Sequence, residues 1–189
     1  MKFLIVGLGN IGDEYTETRH NIGFKIVEAL AKEAGASFVS DRLAFHAEMK
    51  WKGKQLHLIK PTTFMNLSGK AVKYWMNELK ISAENIFILV DDIALPFGAI
   101  RIRANGSAGG HNGLKDIEAQ LGNNNYARLR FGVGNEFAKG KQVNYVLGKW
   151  NAEEMKTLEE KIKVSCEAVK SFATIGLERT MNVFNTKEK

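Results

Sequence analysis

The chain has 189 residues, 44% of them hydrophobic and 25% charged, with a formal net charge of +6; this is the composition of a globular domain large enough for one proper core. Apolar runs such as Ile86 to Val90 are far shorter than the ~20 residues of a bilayer span, and Met1-Lys2 leads straight into a strand pattern, so neither a membrane protein nor a secretion signal is expected. A single cysteine excludes an internal disulfide and fits a reducing cytosol, while the positive charge favours a polyanionic partner.

In chain order, a strand at 2–6 is followed by a helix whose apolar face is Ile22, Ile26, Val27 and Leu30. Strands at 45–52 and 55–60 make a hairpin turning at Lys52-Gly53-Lys54. Leu67, Ala71, Val72, Trp75 and Leu79 share the next helix face, and strands follow at 86–91 and 99–104. Leu114, Ile117 and Leu121 mark a helix over 114–121 stopped by Gly122, and a strand follows at 128–134. Asn151 with Glu154 three residues on forms a capping-box pattern for a helix over 152–172, with a stripe of Met155, Leu158, Ile162, Cys166 and Val169. A short helix over 176–185 carries Leu177, Met181 and Phe184, and Lys187-Glu188-Lys189 is expected to fray. Alternation of helices and strands predicts an α/β fold: one domain over 1–189, with a twisted mixed sheet surrounded by helices. In such sheets, sites collect where strands end; Asn10, Asp91 and the 105–113 loop stand at such ends.

Gly7-Leu8-Gly9-Asn10-Ile11-Gly12 matches the dinucleotide fingerprint G-x-G-x-x-G. The polar stretch Asp13 to His20 stands where that fold needs its helix, so the glycines read instead as a tight turn that brings backbone close to a ligand.

The acid–base equipment is His20, between Arg19 and Asn21, and Asp91, which ends a buried strand and could fix the imidazole tautomer. There is no G-x-S-x-G elbow, and Cys166 falls on the apolar stripe of a helix, so water is the economical nucleophile. Asn10, Asn66 and Asn112 are neutral donors able to hold a carbonyl, an oxyanion or the water, though each also suits a cap or turn. His20, His46, His57 and His111 lack metal-ligand spacing, and His46 and His57 read as structural. His111 opens a helix and leaves two readings: an anion on the helix N-terminus, or an N-cap turn. Phe64 and Met65 are either a hydrophobic staple or the wall of a cleft. Between 101 and 149, Arg101, Arg103, Lys115, Arg128, Arg130, Lys139, Lys141 and Lys149 outnumber Asp116, Glu118 and Glu136. This is a solvated basic face or a phosphate-binding surface, and it supports a second class of reading, a non-catalytic RNA-binding module.

Four segments together resemble the bacterial peptidyl-tRNA hydrolase family: GLGNIGDEYTETRHNIGF at 7–24, KPTTFMNLSGKAV at 60–72, DDIALPFG at 91–98 and AGGHNGLKDIEAQLGNNNYARLRFGVG at 108–134. The resemblance implies a monomeric, cytoplasmic esterase without metal or organic cofactor. It would cleave the bond between a peptide and the terminal ribose of tRNA. It implies His20 as catalytic base, Asp91 as its partner, and Asn10 and Asn112 as groups that position substrate and water. Tyr15, Met65, Asn66, Gly109 and His111 match cleft positions, and Arg103 and Arg130 match basic residues for the tRNA 5′ phosphate at the acceptor stem. Residues 137–150 match a lid. Ile11 stands where the family often has Pro, Ala94 where an acid is frequent, and Asn105-Gly106-Ser107-Ala108 is less glycine-rich than in many members.

Overall fold

Seven strands, β1 (Lys2–Gly7), β2 (Val39–Asp41), β3 (Ala44–Trp51), β4 (Lys54–Pro61), β5 (Ile86–Asp92), β6 (Ile100–Arg103) and β7 (Ala127–Gly132), form one sheet in the order β2-β3-β4-β1-β5-β7-β6. The computed structural model describes residues 1–185, so the expected fraying at Lys187-Glu188-Lys189 lies outside the described residues. β1 pairs in parallel with β4 and β5, and β5 with β7, whereas β2–β3, β3–β4 and β6–β7 are antiparallel. The sheet is therefore mixed, as the alternation of elements predicts.

Side-chain alternation on the central strands builds two cores. Phe3, Ile5, Phe87 and Leu89 face a layer formed by α1 (Ile22–Glu33) and the long helix over Ala152–Ile175. Leu4, Val6, Ile88 and Val90 face the other layer, where α2 (Ser68–Leu79) meets α3 (Asn112–Leu121). Strands apolar on both faces belong in the middle of a covered parallel sheet, and β1 and β5 occupy those places. The chain leaves β1 toward β4 on one side and returns to β5 on the other. The adjacent C-terminal ends of β1 and β5 thus form a topological switch point, where a crevice opens.

The glycines after β1 act through close approach. A Cβ on Gly7 would run into the Gly23 carbonyl, and one on Gly9 would lie 2.9 Å from Asn21 Oδ1, so α1 seats directly against the turn. The dinucleotide geometry is not formed: helix α1 begins at Ile22, ten residues after Gly12.

Several boundaries differ from expectation. β2 is exposed along its length and lacks an alternation to announce it. A five-residue helix, α4 (Gln142–Val146), lies where no periodicity marks one. α3 starts at Asn112 rather than 114, and the long helix, α5 (Ala152–Ile175), outruns 172. Its capping box is present in both directions, Asn151 Oδ1 accepting from Glu154 N and Glu154 Oε1 from Asn151 N, each at 2.8 Å. Leu67 and Met155 leave the stripes assigned to them: Leu67 sits exposed in a 3-10 turn (Met65–Leu67) ahead of α2, and Met155 is exposed on the first turn of α5. Cys166 is fully buried, and burial pushes its thiol up to about 12, far from a nucleophile. The last helix, α6 (Leu177–Phe184), ends beside Asn185, whose side-chain amide brackets Ile102 with two hydrogen bonds (2.7 and 2.9 Å) and seals the outer edge of β6.

Candidate active site

The turn after β1 presents Asn10, and Asn21 fixes it. Asn21 Oδ1 accepts from Asn10 N and Asn21 Nδ2 donates to Asn10 O, both at 2.8 Å, a side chain copying a β-bridge. Asn10 Oδ1 in turn accepts from Met65 N at 2.7 Å, which orients the amide and leaves Nδ2 as the donor for a ligand. Met65 is reached through Phe64, whose φ of 61° turns the chain sharply. Phe64 is exposed and Met65 buried, and both line the cleft, so they form its wall and not a staple.

The 3-10 turn Arg19–Asn21 places His20 opposite the end of β5. His20 Nδ1 lies 2.8 Å from Asp91 Oδ1, and His111 Nε2 lies 3.0 Å from the same oxygen. The His111 tautomer follows from its other nitrogen. Nδ1 accepts from Gly113 N (3.1 Å) and Leu114 N (3.3 Å), capping α3, so the proton is on Nε2 and points at Asp91. The N-cap reading of His111 therefore holds, and the ring occupies the helix-terminal N–H groups an anion would have used. With Asp91 accepting twice, His20 keeps its own proton on Nδ1 and turns a bare Nε2 toward the cleft.

Burial of Asp91 opposes its charge. The His20 and His111 rings more than offset this and hold the carboxyl far below the ordinary carboxylate range. For His20, burial works against the imidazolium, yet the Asp91 charge and hydrogen bond prevail and raise its pKa above the usual 6.5. The ligand atoms of His20, Asp91 and His111 all fall within 4.8 Å of one another, a set that could hold a metal ion. In the structure these atoms are paired with one another, at 2.8 Å and 3.0 Å.

Around this triad lies a cleft of about 390 Å³. Asn10, Asn66, Gly109, Asn112 and Arg130 supply its polar lining; Phe64, Met65, Ile93 and Ala108 its apolar wall; and Gln142, Val143 and Val146 of α4, with Leu147 just beyond, the far side. Neither Asn21 as the clamp on Asn10 nor the individual α4 residues are marked in the sequence. Their only signal was proximity to His20 and position within 137–150.

The family model described as peptidyl-tRNA hydrolase matches residues 4–189. The chain is 59% identical to the peptidyl-tRNA hydrolase of Cytophaga hutchinsonii and 54% identical to that of Bacteroides fragilis, with 99% or more of this chain and all of each relative covered. The chain belongs to the peptidyl-tRNA hydrolase family. The crystal structure of peptidyl-tRNA hydrolase from Acinetobacter baumannii superposes with a TM-score of 0.92 at 35% identity, covering 98% of this chain and 95% of that one.

Within this family member, the basic residues divide by burial. Arg101, Arg103 and Arg130 line a second hollow with Asp92, Asn105, Gly106 and Ser107, and Arg130 borders both hollows. In register, Arg101 faces Arg130 and Arg103 faces Arg128 across β6 and β7. Arg128 is completely buried, donating to the carbonyls of Gly106, Asn124 and Tyr126, so it is not part of any solvated or phosphate-binding face. Tyr15 is not among the residues lining the cleft; its carbonyl accepts from Thr18 Oγ1 at 2.7 Å, two residues before His20. Ala94 is exposed and off the main cleft, its N–H held by Asp92 Oδ1 at 2.8 Å.

Proposed function

We propose that this member of the peptidyl-tRNA hydrolase family cleaves the ester between a peptide and the terminal ribose of tRNA with water activated by His20. The observation that carries the reading is the 2.8 Å bond from His20 Nδ1 to a buried carboxylate, which leaves Nε2 facing a cleft wide enough for a peptide end. Nε2 takes a proton from water as the oxygen attacks the ester carbonyl. Asp91 stabilises the imidazolium that results. Collapse of the tetrahedral species breaks the bond to the ribose oxygen, and the imidazolium returns its proton to that leaving group. Asn10 Nδ2 and the amide of Asn112 are the donors for the water and the developing oxyanion. Asn66, the Gly109 backbone and His111 border the acceptor end, and Met65 adapts to varied peptide side chains.

Arg103 and Arg130 grip the 5′ phosphate of the acceptor stem, a group whose geometry an Arg pair matches. Residues 137–150, with α4 at their centre, serve as a lid within the single domain. The enzyme works as a cytoplasmic monomer without metal or organic cofactor; among the described residues no helix is long and apolar enough to cross a membrane. Release of peptide from purified peptidyl-tRNA tests the mechanism. The unsubstituted chain turns over and His20→Ala does not; full activity of His20→Ala removes the assigned base. Binding of tRNA without any release by the unsubstituted chain would make it an RNA-binding module.

A further inference from the structure

Arg19 is a buried cation one residue before the candidate base, and the mechanism above does not use it. Its backbone N–H donates to Gly148 O at 3.0 Å, and Thr18 bridges Lys149 in antiparallel fashion. Its guanidinium reaches farther along the same segment. Nη1 donates to Tyr145 O at 3.2 Å, Nη2 to Glu154 Oε1 at 2.9 Å, and the plane lies 4.2 Å from the centre of the Tyr145 ring. Glu154 is also buried and simultaneously caps α5 through Asn151 N. One side chain thus joins the end of α4, the start of α5 and the turn that carries His20.

The two faces of α4 give this junction a consequence. Val143, Val146 and Leu147 line the cleft, while Tyr145 turns away, toward Arg19 and a 2.6 Å hydrogen bond to Val133 O. α4 cannot leave the cleft without drawing the Tyr145 carbonyl and ring off the guanidinium. The guanidinium, left with Glu154 alone of these two acceptors, would then shift together with its own backbone, adjacent to His20. On the other flank Asn21 is bound to Asn10, so His20 sits between two anchored neighbours. Burying an ion pair gives little net stability compared with an apolar replacement, whereas breaking one partner is costly. That asymmetry suits a coupling device better than a simple prop.

We infer that Arg19 is a positioning residue that ties the placement of the His20 imidazole to the seating of α4 against the cleft, and this rests on the proposed hydrolysis. Arg19 does not line the cleft. It acts through two structures at once, one that holds the peptide and one that holds the base. Lysine keeps the charge but loses the fork that spans Tyr145 O and Glu154.

The test compares the full-length chain with Arg19→Lys, Arg19→Met and the milder Glu154→Gln, which retains an oxygen for Asn151 N–H. Three readouts are taken: amide hydrogen exchange over 142–148, the NMR resonances of the His20 imidazole, and kcat and KM for peptidyl-tRNA. Expected are exchange over 142–148 at least ~10-fold faster with the β1 and β5 amides unchanged, displaced His20 resonances, a raised KM and a lowered kcat, with Arg19→Lys between the unsubstituted chain and Arg19→Met. Faster exchange beside unmoved His20 resonances overturns the coupling, as do displaced resonances beside unchanged exchange. Loss of thermal stability alone, with kcat and KM intact, reduces Arg19 to a structural residue and also overturns it. Absence of turnover in the unsubstituted chain defeats the hydrolytic reading instead; the exchange and resonance arms still decide whether Arg19 links the two elements.

Discussion

His111 shares with His20 a single oxygen of Asp91, and its second nitrogen caps α3. The ring therefore joins a helix end to the carboxylate that orients the base. His111→Ala removes one of two hydrogen bonds to a buried charge, leaving more of that charge for His20 to neutralise. The His20 imidazolium is then better stabilised. The acid limb of kcat/KM is expected to move to higher pH, with kcat at neutral pH down about tenfold. Loss of the cap costs about 1 kcal/mol of stability besides. A pH–rate series alongside thermal melts checks both, and an unmoved acid limb removes His111 from the base's environment.

The raised pKa of His20 sets the direction of the wild-type profile. The base must be unprotonated, so activity rises with pH through a midpoint above 6.5. Asp91→Asn removes the two causes that raise the pKa and leaves the burial that lowers it. The midpoint then falls below 6.5 while turnover drops about 10²-fold, less than in His20→Ala because the cleft is retained. Single-turnover rates between pH 5 and 8 measure the midpoint directly. An Asp91→Asn enzyme with the parent midpoint would detach the carboxylate from the base.

Arg128 and Arg130 lie two residues apart on β7 and are expected to behave oppositely. Arg130 and Arg103 border an open hollow, with Arg130 also donating to Ser107 O at 2.8 Å, so Arg103→Ala with Arg130→Ala weakens tRNA binding and flattens its salt dependence by about one in log–log slope, with melting lowered less than in Arg128→Met and cleavage of short substrates largely kept. Arg128→Met strands the carbonyls of Gly106, Asn124 and Tyr126 and costs about 3 kcal/mol in stability, with no change in salt slope once folded. Equilibrium binding across a salt series, paired with denaturant unfolding, separates the two. A lowered slope in folded Arg128→Met would place it in the tRNA contact.

The pair Arg128 and Arg130 also marks where sequence stops being legible. Strand alternation fixes that both side chains leave β7 on one face, yet burial of Arg128 depends on carbonyls contributed by the 106 and 124 loops, which no local pattern announces. Phe3 to Val6 and Ile86 to Val90 were readable because the pattern that buries them is written in adjacent residues. So were Asn151 and Glu154, three apart. The three-residue β2 and five-residue α4 carry too few residues for a period to show. His20 and Asp91 are legible as a pair from their positions at strand and loop ends. Their shared oxygen with His111, and the Asn21 grip on Asn10, need the folded chain: each partner is supplied by a different element across the switch point.

His46 and His57 make a pH-sensitive pair away from the cleft. His46 Nε2 and His57 Nδ1 are 2.9 Å apart across β3 and β4, the rings are stacked, and His46 also stacks on Trp75. Burial is the largest cause and lowers both pKa values; Asp41 and then Glu48 pull the other way on His46, and Glu48 does so on His57, where His46 and Lys2 add to the lowering. A bond between two ring nitrogens needs one of them unprotonated. Because the folded-state pKa values lie below the unfolded 6.5, the folded chain binds fewer protons than the unfolded one in acid. The pair's contribution is complete above pH about 6.5 and is lost as pH falls through the lowered folded values. His57→Phe keeps a flat ring against His46 and removes one titrating site, so its melting temperature is expected to fall less steeply than the parent's between pH 6.5 and 5. Thermal melts across that window decide the matter. Parallel curves for the two proteins would mean that acid sensitivity arises elsewhere, with protonation of Asp91 at still lower pH the next group to examine.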